Sequence, residues 1–435
     1  MRKHFFSAKN IEDYRKSYRD ITEKGKLPGE TQEDFDQRFF LSQIKGVFNL
    51  PQEVLESRIY GETGIEGLRL DFNFGLRLDV PEGNFRVVIG NADTGEKFFD
   101  KYISGGRLLS IEQYFIRWQV EIYRDDKKVF SHTLNLKGQP VMLAFRITTL
   151  GDSIALLPFA REFKKRHGCE LSICLPDYLC EFAAHLYPEI PQADKINFKT
   201  YATYYPLMVV ADCLTVPVDI RNLPLERAGG AILGLETLPA KPIFKPTAPP
   251  VTDEPYVCIG VQASSARKSW LYPGGWDIVV DYLKSLGYRV FCIDKKNFQR
   301  EGNYSIATPD NAEDFTGDFS IMERANMLYH AEFFIGLSSG LAWVANTVNC
   351  PVVMICGFSQ DWFEFYTPYR VANRLVCNGC FNDIRVSFIG KKICPYHGGT
   401  ARELECQKKI YPAQVIDAIN RLIVDRNLTP PVLRG

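Results

Sequence analysis

Between residues 67 and 80 the chain alternates strictly. Leu68, Leu70, Phe72, Phe74, Leu76, Leu78 and Val80 fall on one side of an extended segment, with polar residues or glycine between them. A period of two places one face against a core and predicts a strand with one buried side. NFRVVIGNADTGEKFFDKYI and FIRWQVEIYRDDKKVFSHTLNL follow, the first broken at residues 91–95 and the second at Asp125 and Asp126. Both read as antiparallel hairpins. The acidic pair could hold a metal, but aspartates at a hairpin tip account for it better. Residues 51–138 therefore read as a small all-β domain, after a charged, helix-prone extension over residues 1–50 that carries no sharp motif.

From Pro140 the period lengthens. VMLAFRIT predicts a strand, and LGDSIALLPFAREFKKRHG an amphipathic helix with Ile154, Leu157, Ala160 and Phe163 on one face. Pro158 should kink that helix or leave its first turn irregular. CELSICLP is the next strand and PLMVVADC a further one. This β-α-β order implies parallel strands. LPAKPIFKPTAPPVTDE, residues 238–254, is dense in proline and reads as a stiff linker. A second series follows: strands in PYVCIGV, YRVFCID, EFFIGL and PVVMICG, and helices in GWDIVVDYLKSLG, SIMERANMLYHA and GLAWVANTVN. YPAQVIDAINRLIVDR closes the chain as an amphipathic helix. The expected fold class is α/β, two Rossmann-like parallel-sheet halves over residues 139–245 and 253–375. They are followed by a cysteine-rich segment at 376–409 and a helix with a tail at 410–435.

Composition narrows the function. The 435 residues are 46% hydrophobic and 24% charged, with 52 basic and 52 acidic side chains and zero formal net charge. A broad nucleic-acid or membrane footprint is not expected from such a balance. No run of 18 apolar residues predicts a membrane span. The basic N-terminus lacks the apolar core of a secretory signal, so a cytoplasmic location with reduced thiols is expected. The twelve cysteines are then not a disulfide framework. Cys174, Cys258, Cys292 and Cys356 lie in strand-like apolar runs and read as core residues.

Three strand ends carry candidate chemistry, because ligands of parallel sheets bind at the carboxyl ends of the strands. In RITTLGDSIALLPFA a turn with Thr149, Gly151 and Asp152 enters a helix, whose free N–H groups attract anions. Asp152 fits a capping role there, a ligand-facing role, or both. GVQASSARKSWLYPGGW carries Arg267 and Lys268 among small residues, either a solvated basic loop or a pair that neutralises a diphosphate. In FFIGLSSGLAWVAN, Ser338, Ser339, Gly340 and Leu341 form a second anion cradle at a helix start. Two such loops across one cleft suggest a diphosphate ligand. No Asp-x-Asp pair sits at a strand end, so no catalytic divalent metal is expected.

Cys377, Cys380, Cys394 and Cys406 occupy one short polar stretch. A C-x2-C knuckle with two later thiols reads as a structural tetrathiolate metal site, with His397 able to replace one thiolate. All-sulfur tetrahedral ligation suits zinc first and iron second.

TLGDSIALLPFAREF, GVQASSARKSW-x5-W, DFTGDFSIMERANMLYHAEFFIGLSSGLAWVAN and the four-cysteine segment together resemble the bacterial autotransporter heptosyltransferases. These are relatives of the lipopolysaccharide-core enzymes that add a β domain and a cysteine finger. The likeness runs from about residue 51 to the C-terminus. It implies a GT-B glycosyltransferase moving heptose from ADP-heptose to serine hydroxyls of an autotransporter adhesin, with inversion. It further implies Asp152 as the base, Lys268 stabilising the leaving ADP, and Thr149, Ser339 and Gly340 on the diphosphate, with Arg267 a weaker candidate. One iron per chain at the four cysteines, and a large homo-oligomer, a dodecamer by resemblance, with the finger at a subunit contact, complete the family picture. A lipopolysaccharide-core heptosyltransferase, an enzyme using another nucleotide sugar, and a non-enzymatic nucleotide-binding adaptor are the competing readings.

Overall fold

The computed structural model describes residues 5–7, 28, 29, 31, 56–145, 149–206, 217–386 and 393–433. The first region is antiparallel. β1 (Phe5–Ser7), β2 (Arg69–Asp71), β3 (Arg77–Val80) and β6 (Gly106–Ser110) form one sheet, in the order β1-β6-β3-β2. β4 (Phe85–Asn91), β5 (Lys97–Ile103), β7 (Trp118–Arg124) and β8 (Lys127–Thr133) form another, in the order β5-β4-β7-β8. The two expected hairpins are present. The β7–β8 turn places Asp125 and Asp126 at φ 50° and 62°, the left-handed geometry that short acidic side chains tolerate.

The alternating stretch from residue 67 is not one strand. It folds back at residues 72–76, where Gly75 has φ +61° and a Cβ would meet the Glu112 carbonyl oxygen at 2.2 Å. β2 then pairs with β3, Leu70 opposite Leu78. Both faces are buried, because the polar members pair with each other. Arg77 forms a buried ion pair with Asp71 at 2.6 Å, and Asn73 donates to the Thr200 carbonyl at 2.7 Å. A buried polar group without such partners would cost roughly 1–3 kcal/mol. Of the helix-prone extension, only the backbone of Phe5–Ser7 is described in regular structure, and it is a strand beside β6.

The next unit is parallel. β9 (Pro140–Ala144) lies between β10 (Glu170–Cys174) and β11 (Ala202–Tyr204). α1 (Leu150–Leu156) and α2 (Phe159–His167) are the expected helix, broken at Pro158, and its four apolar positions are all buried. α3 (Asp177–Leu186) and α4 (Leu225–Leu233) complete the unit. The strand expected in PLMVVADC falls on residues 207–216 from Leu207 onward, outside the described residues.

Residues 238–254 contain no helix or strand, yet the linker is anchored. Phe244 is 5% exposed and packs on Phe182 of α3 and Tyr329 of α6 (Ile321–His330), with ring centroids 6.1 and 5.7 Å away. One buried ring of this size contributes roughly 1.5–3 kcal/mol and here joins the two lobes.

The second lobe is a six-stranded parallel sheet. It comprises β12 (Tyr256–Ile259), β13 (Arg289–Cys292), β16 (Glu313–Asp314), β17 (Phe334–Leu337), β18 (Val352–Ile355) and β19 (Arg370–Val371), in the order β16-β13-β12-β17-β18-β19. α5 (Gly275–Ser285), α7 (Gly340–Thr347) and α9 (Pro412–Asp425) pack with α6 around it, and α8 (Glu405–Lys408) lies in the cysteine segment. The sheet is buried on both faces, as parallel sheets are. Val352 and Met354 join the core shared with the first lobe, while Val353 and Ile355 join the core under α5 and α9. Cys258, Cys292 and Cys356 are fully buried as expected, but Cys174, at the end of β10, is half-buried. A short antiparallel hairpin, β14 (Phe298–Glu301) with β15 (Tyr304–Ala307), projects after β13.

Candidate active site

Five strands end at one cleft of about 670 Å³ between the lobes. The loop after β9 brings Thr149, Gly151 and Asp152, and the loop after β12 brings Gln262, Ser264 and Lys268. Behind β13 come Asp294, Lys295 and Lys296, with Arg300 from the hairpin; behind β17, Ser338, Ser339, Gly340 and Leu341; behind β18, Phe363 and Glu364. A carboxyl-end crevice is where parallel sheets converge polar groups.

Asp152 is not the helix cap. Thr149 occupies that place, and Asp152 lies in the first turn of α1, accepting a 2.5 Å hydrogen bond from the Thr149 hydroxyl. Burial raises its carboxyl above the ordinary aspartate range. The Thr149 hydroxyl and the Lys268 ammonium pull it back, and the nearby Glu364 pushes it further up. The net effect is a carboxyl more basic than that of an exposed aspartate.

Lys268 ends the short 3-10 turn Ala266–Lys268 and faces the cleft. Arg267, its neighbour, is not among the cleft-lining residues. It lines the cysteine cavity, and its carbonyl accepts from Gln407 Nε2 at 2.7 Å. Successive residues of so tight a turn point apart, so the two cations seen side by side in the sequence serve different places.

At α7 the Ser339 backbone is extended and its hydroxyl is buried without a hydrogen-bond partner. Beside it the first-turn N–H groups of α7 have no partner within the helix. Together they make an anion-binding corner. Asp294 is structural: 3% exposed, it accepts from the Val261 N–H at 2.6 Å and ties the β12 loop to β13. Burial pushes its pKa up to about 6.

Lys295, Lys296, Arg300 and Glu364 were missed in the sequence. The first two follow a strand end in RVFCIDKK and could have been found by the rule that found Lys268. Glu364 sits in an aromatic loop, GFSQDWFEFYTPY, with no local signal.

Cys377, Cys380, Cys394 and Cys406 all line a second, partly open space of about 10 Å³. Among the described residues no disulfide joins them. Burial and mutual proximity raise Cys380 to about 12, and Cys377 and Cys406 also upward, so the thiols become good ligands only beside a cation. Four thiols are the donor chemistry of a tetrathiolate ion, but the ligand atoms that lie within 4.8 Å of one another among the described residues are Cys377 Sγ, a His397 ring nitrogen and a Glu405 oxygen. Glu405 is already held by Arg402, Nη2 donating at 2.5 Å, which leaves His397 as the alternative fourth ligand.

A family model described as the N-terminal domain of glycosyltransferase TibC matches residues 64–126, and one described as glycosyltransferase family 9 (heptosyltransferase) matches residues 236–385. The chain is 39% identical over 368 residues to the autotransporter heptosyltransferase BAHTCr of Citrobacter rodentium, covering 82% of this chain and 90% of the relative. It is 39% identical over 376 residues to the autotransporter heptosyltransferase TibC of Escherichia coli O78:H11, covering 85% and 92%. It is 32% identical over 366 residues to BimC of Burkholderia thailandensis, described as an inactive autotransporter heptosyltransferase, covering 81% and 85%. The crystal structure of TibC, an iron-containing dodecameric glycosyltransferase, aligns with TM-score 0.81 at 38% identity, covering 85% of this chain and 98% of that one. TibC in complex with ADP-D-β-D-heptose aligns with TM-score 0.80 at 38% identity over the same shares of the two chains.

Proposed function

The chain belongs to the autotransporter heptosyltransferases and is a glycosyltransferase, and from that premise we propose that it transfers heptose from ADP-heptose to serine hydroxyls of an autotransporter adhesin. The observation that carries this reading is the placement of Asp152 and Lys268 in one cleft with the first turn of α7. The two parallel lobes on either side act as the halves of a GT-B enzyme.

A serine hydroxyl needs a base near neutral pH. Asp152 accepts its proton as the serine oxygen bonds to the anomeric carbon, and the bond from that carbon to the β-phosphate oxygen breaks on the opposite face, inverting the centre. ADP leaves with the bonding pair. Lys268, the Ser339 hydroxyl and the N–H groups of Gly340 and Leu341 stabilise its charge, and Thr149 holds Asp152 in place. Lys295, Lys296 and Arg300 add positive field along the same wall.

Cys377, Cys380, Cys394 and Cys406 hold one structural iron ion in this reading, in line with the iron-containing TibC structure. When bound, the ion supplies folding energy to a segment too polar to bury a core. The enzyme acts before export, in the cytoplasm, as a large homo-oligomer. No helix among the described residues is long and apolar enough to cross a membrane.

The adaptor reading has one observation behind it, the inactive relative BimC. Asp152 and Lys268 facing one cleft favour the enzyme. Labelled ADP-heptose, ADP-glucose and UDP-sugars, offered to the purified chain with adhesin and glycolipid acceptors in parallel, test the proposal. Label in the adhesin from ADP-heptose alone supports it. Label in the glycolipid, or nucleotide binding without transfer, overturns it.

A further inference from the structure

Ser338 directly follows β17, and Glu364 lies in the loop after the adjacent parallel strand β18; the register of the two strands pairs Leu337 with Ile355. Both line the cleft although they are only 6% and 4% exposed. The Ser338 hydroxyl donates to Glu364 Oε1. The Ser359 hydroxyl donates to the same oxygen at 2.6 Å, and Arg370 Nη1 donates to Oε2 at 2.8 Å. Arg370 Nη2 also donates to the Ser359 hydroxyl oxygen at 3.1 Å.

Hydrogen-bond bookkeeping decides what this cluster can offer. A serine hydroxyl has one proton, and that of Ser338 is committed to Glu364. Toward the cleft Ser338 therefore presents lone pairs only. A carboxylate has about four acceptor positions, and these three donors leave one on Oε2. Phosphate oxygens are acceptors as well and find nothing here to pair with. Sugar hydroxyls are donors and do. Ser338 thus leaves the anion cradle expected from its position in the GLSSG turn. Its neighbour Ser339, with a hydroxyl free of partners at the α7 N-terminus, remains in it.

We infer that Ser338 and Glu364, braced by Arg370, form a hydroxyl-accepting wall that selects the transferred sugar, while Ser339 and Lys268 hold the diphosphate. The inference rests on the nucleotide-sugar reading of the cleft and adds to it which residues recognise the sugar.

The test is calorimetric titration of the full chain with ADP and with ADP-heptose, for wild type, Ser338→Ala and Glu364→Gln, beside a transfer assay. Both variants should keep ADP affinity within about twofold and lose about tenfold or more for ADP-heptose, the cost of a charge-assisted hydrogen bond. Ser338→Ala keeps the Glu364–Arg370 ion pair, so it decides the matter if Glu364→Gln fails to fold. An unchanged ratio of ADP-heptose to ADP affinity in Ser338→Ala overturns the inference. So does parallel weakening of both ligands, which a merely structural brace would give. If wild type takes a different nucleotide sugar, the donor reading fails on its own, and the same ratio measured with that sugar still judges the wall.

Discussion

A Cβ placed on Gly151 would stand 3.6 Å from the Cα of Gly340 and 2.9 Å from Trp343 Cδ1. The first turns of α1 and α7 thus meet almost backbone to backbone, one from each lobe. Neither glycine has positive φ, so what the position demands is space, not an unusual conformation. This contact sets the width of the cleft and brings Asp152 opposite the Ser339 corner. Gly151→Ala is expected to destabilise the chain by about 1–3 kcal/mol through overpacking and to slow transfer more than its stability loss explains. Thermal unfolding with donor kinetics on the same preparation checks both.

The acid limb of the rate profile should report Asp152. Its carboxyl is raised mainly by burial, and only the deprotonated form can act as base. Activity is therefore present above that raised pKa and lost as pH falls through it, at a pH higher than an exposed aspartate would give. Lys268→Ala removes a charge that lowers this pKa, so the limb in any residual activity should move to higher pH; Glu364→Gln should move it to lower pH. Asp152→Asn should cost about 10²–10⁴-fold in kcat with the fold retained. Near-normal transfer by Asp152→Asn would remove it from the mechanism.

Lys268 and Arg267 should separate. Lys268→Ala is expected to lower kcat by about 10²–10³-fold, as loss of a leaving-group stabiliser does. Arg267→Ala, whose side chain lines the cysteine cavity, should act mainly on thermal stability and on metal retention. Steady-state kinetics and metal analysis of the two variants give the comparison.

Replacing any one of Cys377, Cys380, Cys394 and Cys406 by serine should lower bound metal and the unfolding midpoint together. His397→Ala should leave the metal content near wild type if four thiolates hold the ion. Metal released by acid and measured per chain distinguishes iron from zinc. Full metal retention in all four cysteine variants would sink the site.

Leu375, two residues before Cys377, is 95% exposed. A large apolar side chain left this open beside the finger suits a subunit contact. Leu375→Asp should reduce the assembled mass measured by light scattering while the metal stays bound.

Many elements of the two lobes were readable because their signals are local, while α3, α4, β11, β14, β15, β16 and β19 went unread. Ser320, the first residue of SIMERANMLYHA, forms the capping box with Glu323 that opens α6, and Pro158 breaks the helix where it falls. The alternating run from Leu68 misled, because period two says that a segment is extended and not whether it pairs with itself. The turn at Gly75 and the Asp71–Arg77 ion pair bury both of its faces.

The order of residues by itself determined the α/β grammar, the two glycine-bearing helix starts, Asp152 and Lys268 as candidates at strand ends, and the four thiols as a candidate set, since each depends on residues close together in the chain. Folding decided the rest. Arg267 turned toward the finger because a 3-10 turn parts neighbours. Glu364 reached Ser338 because β17 and β18 lie side by side, and Ser338 then spent its only proton there. A hydrogen-bond donor's partner is a property of space, and no local pattern in the sequence carries it.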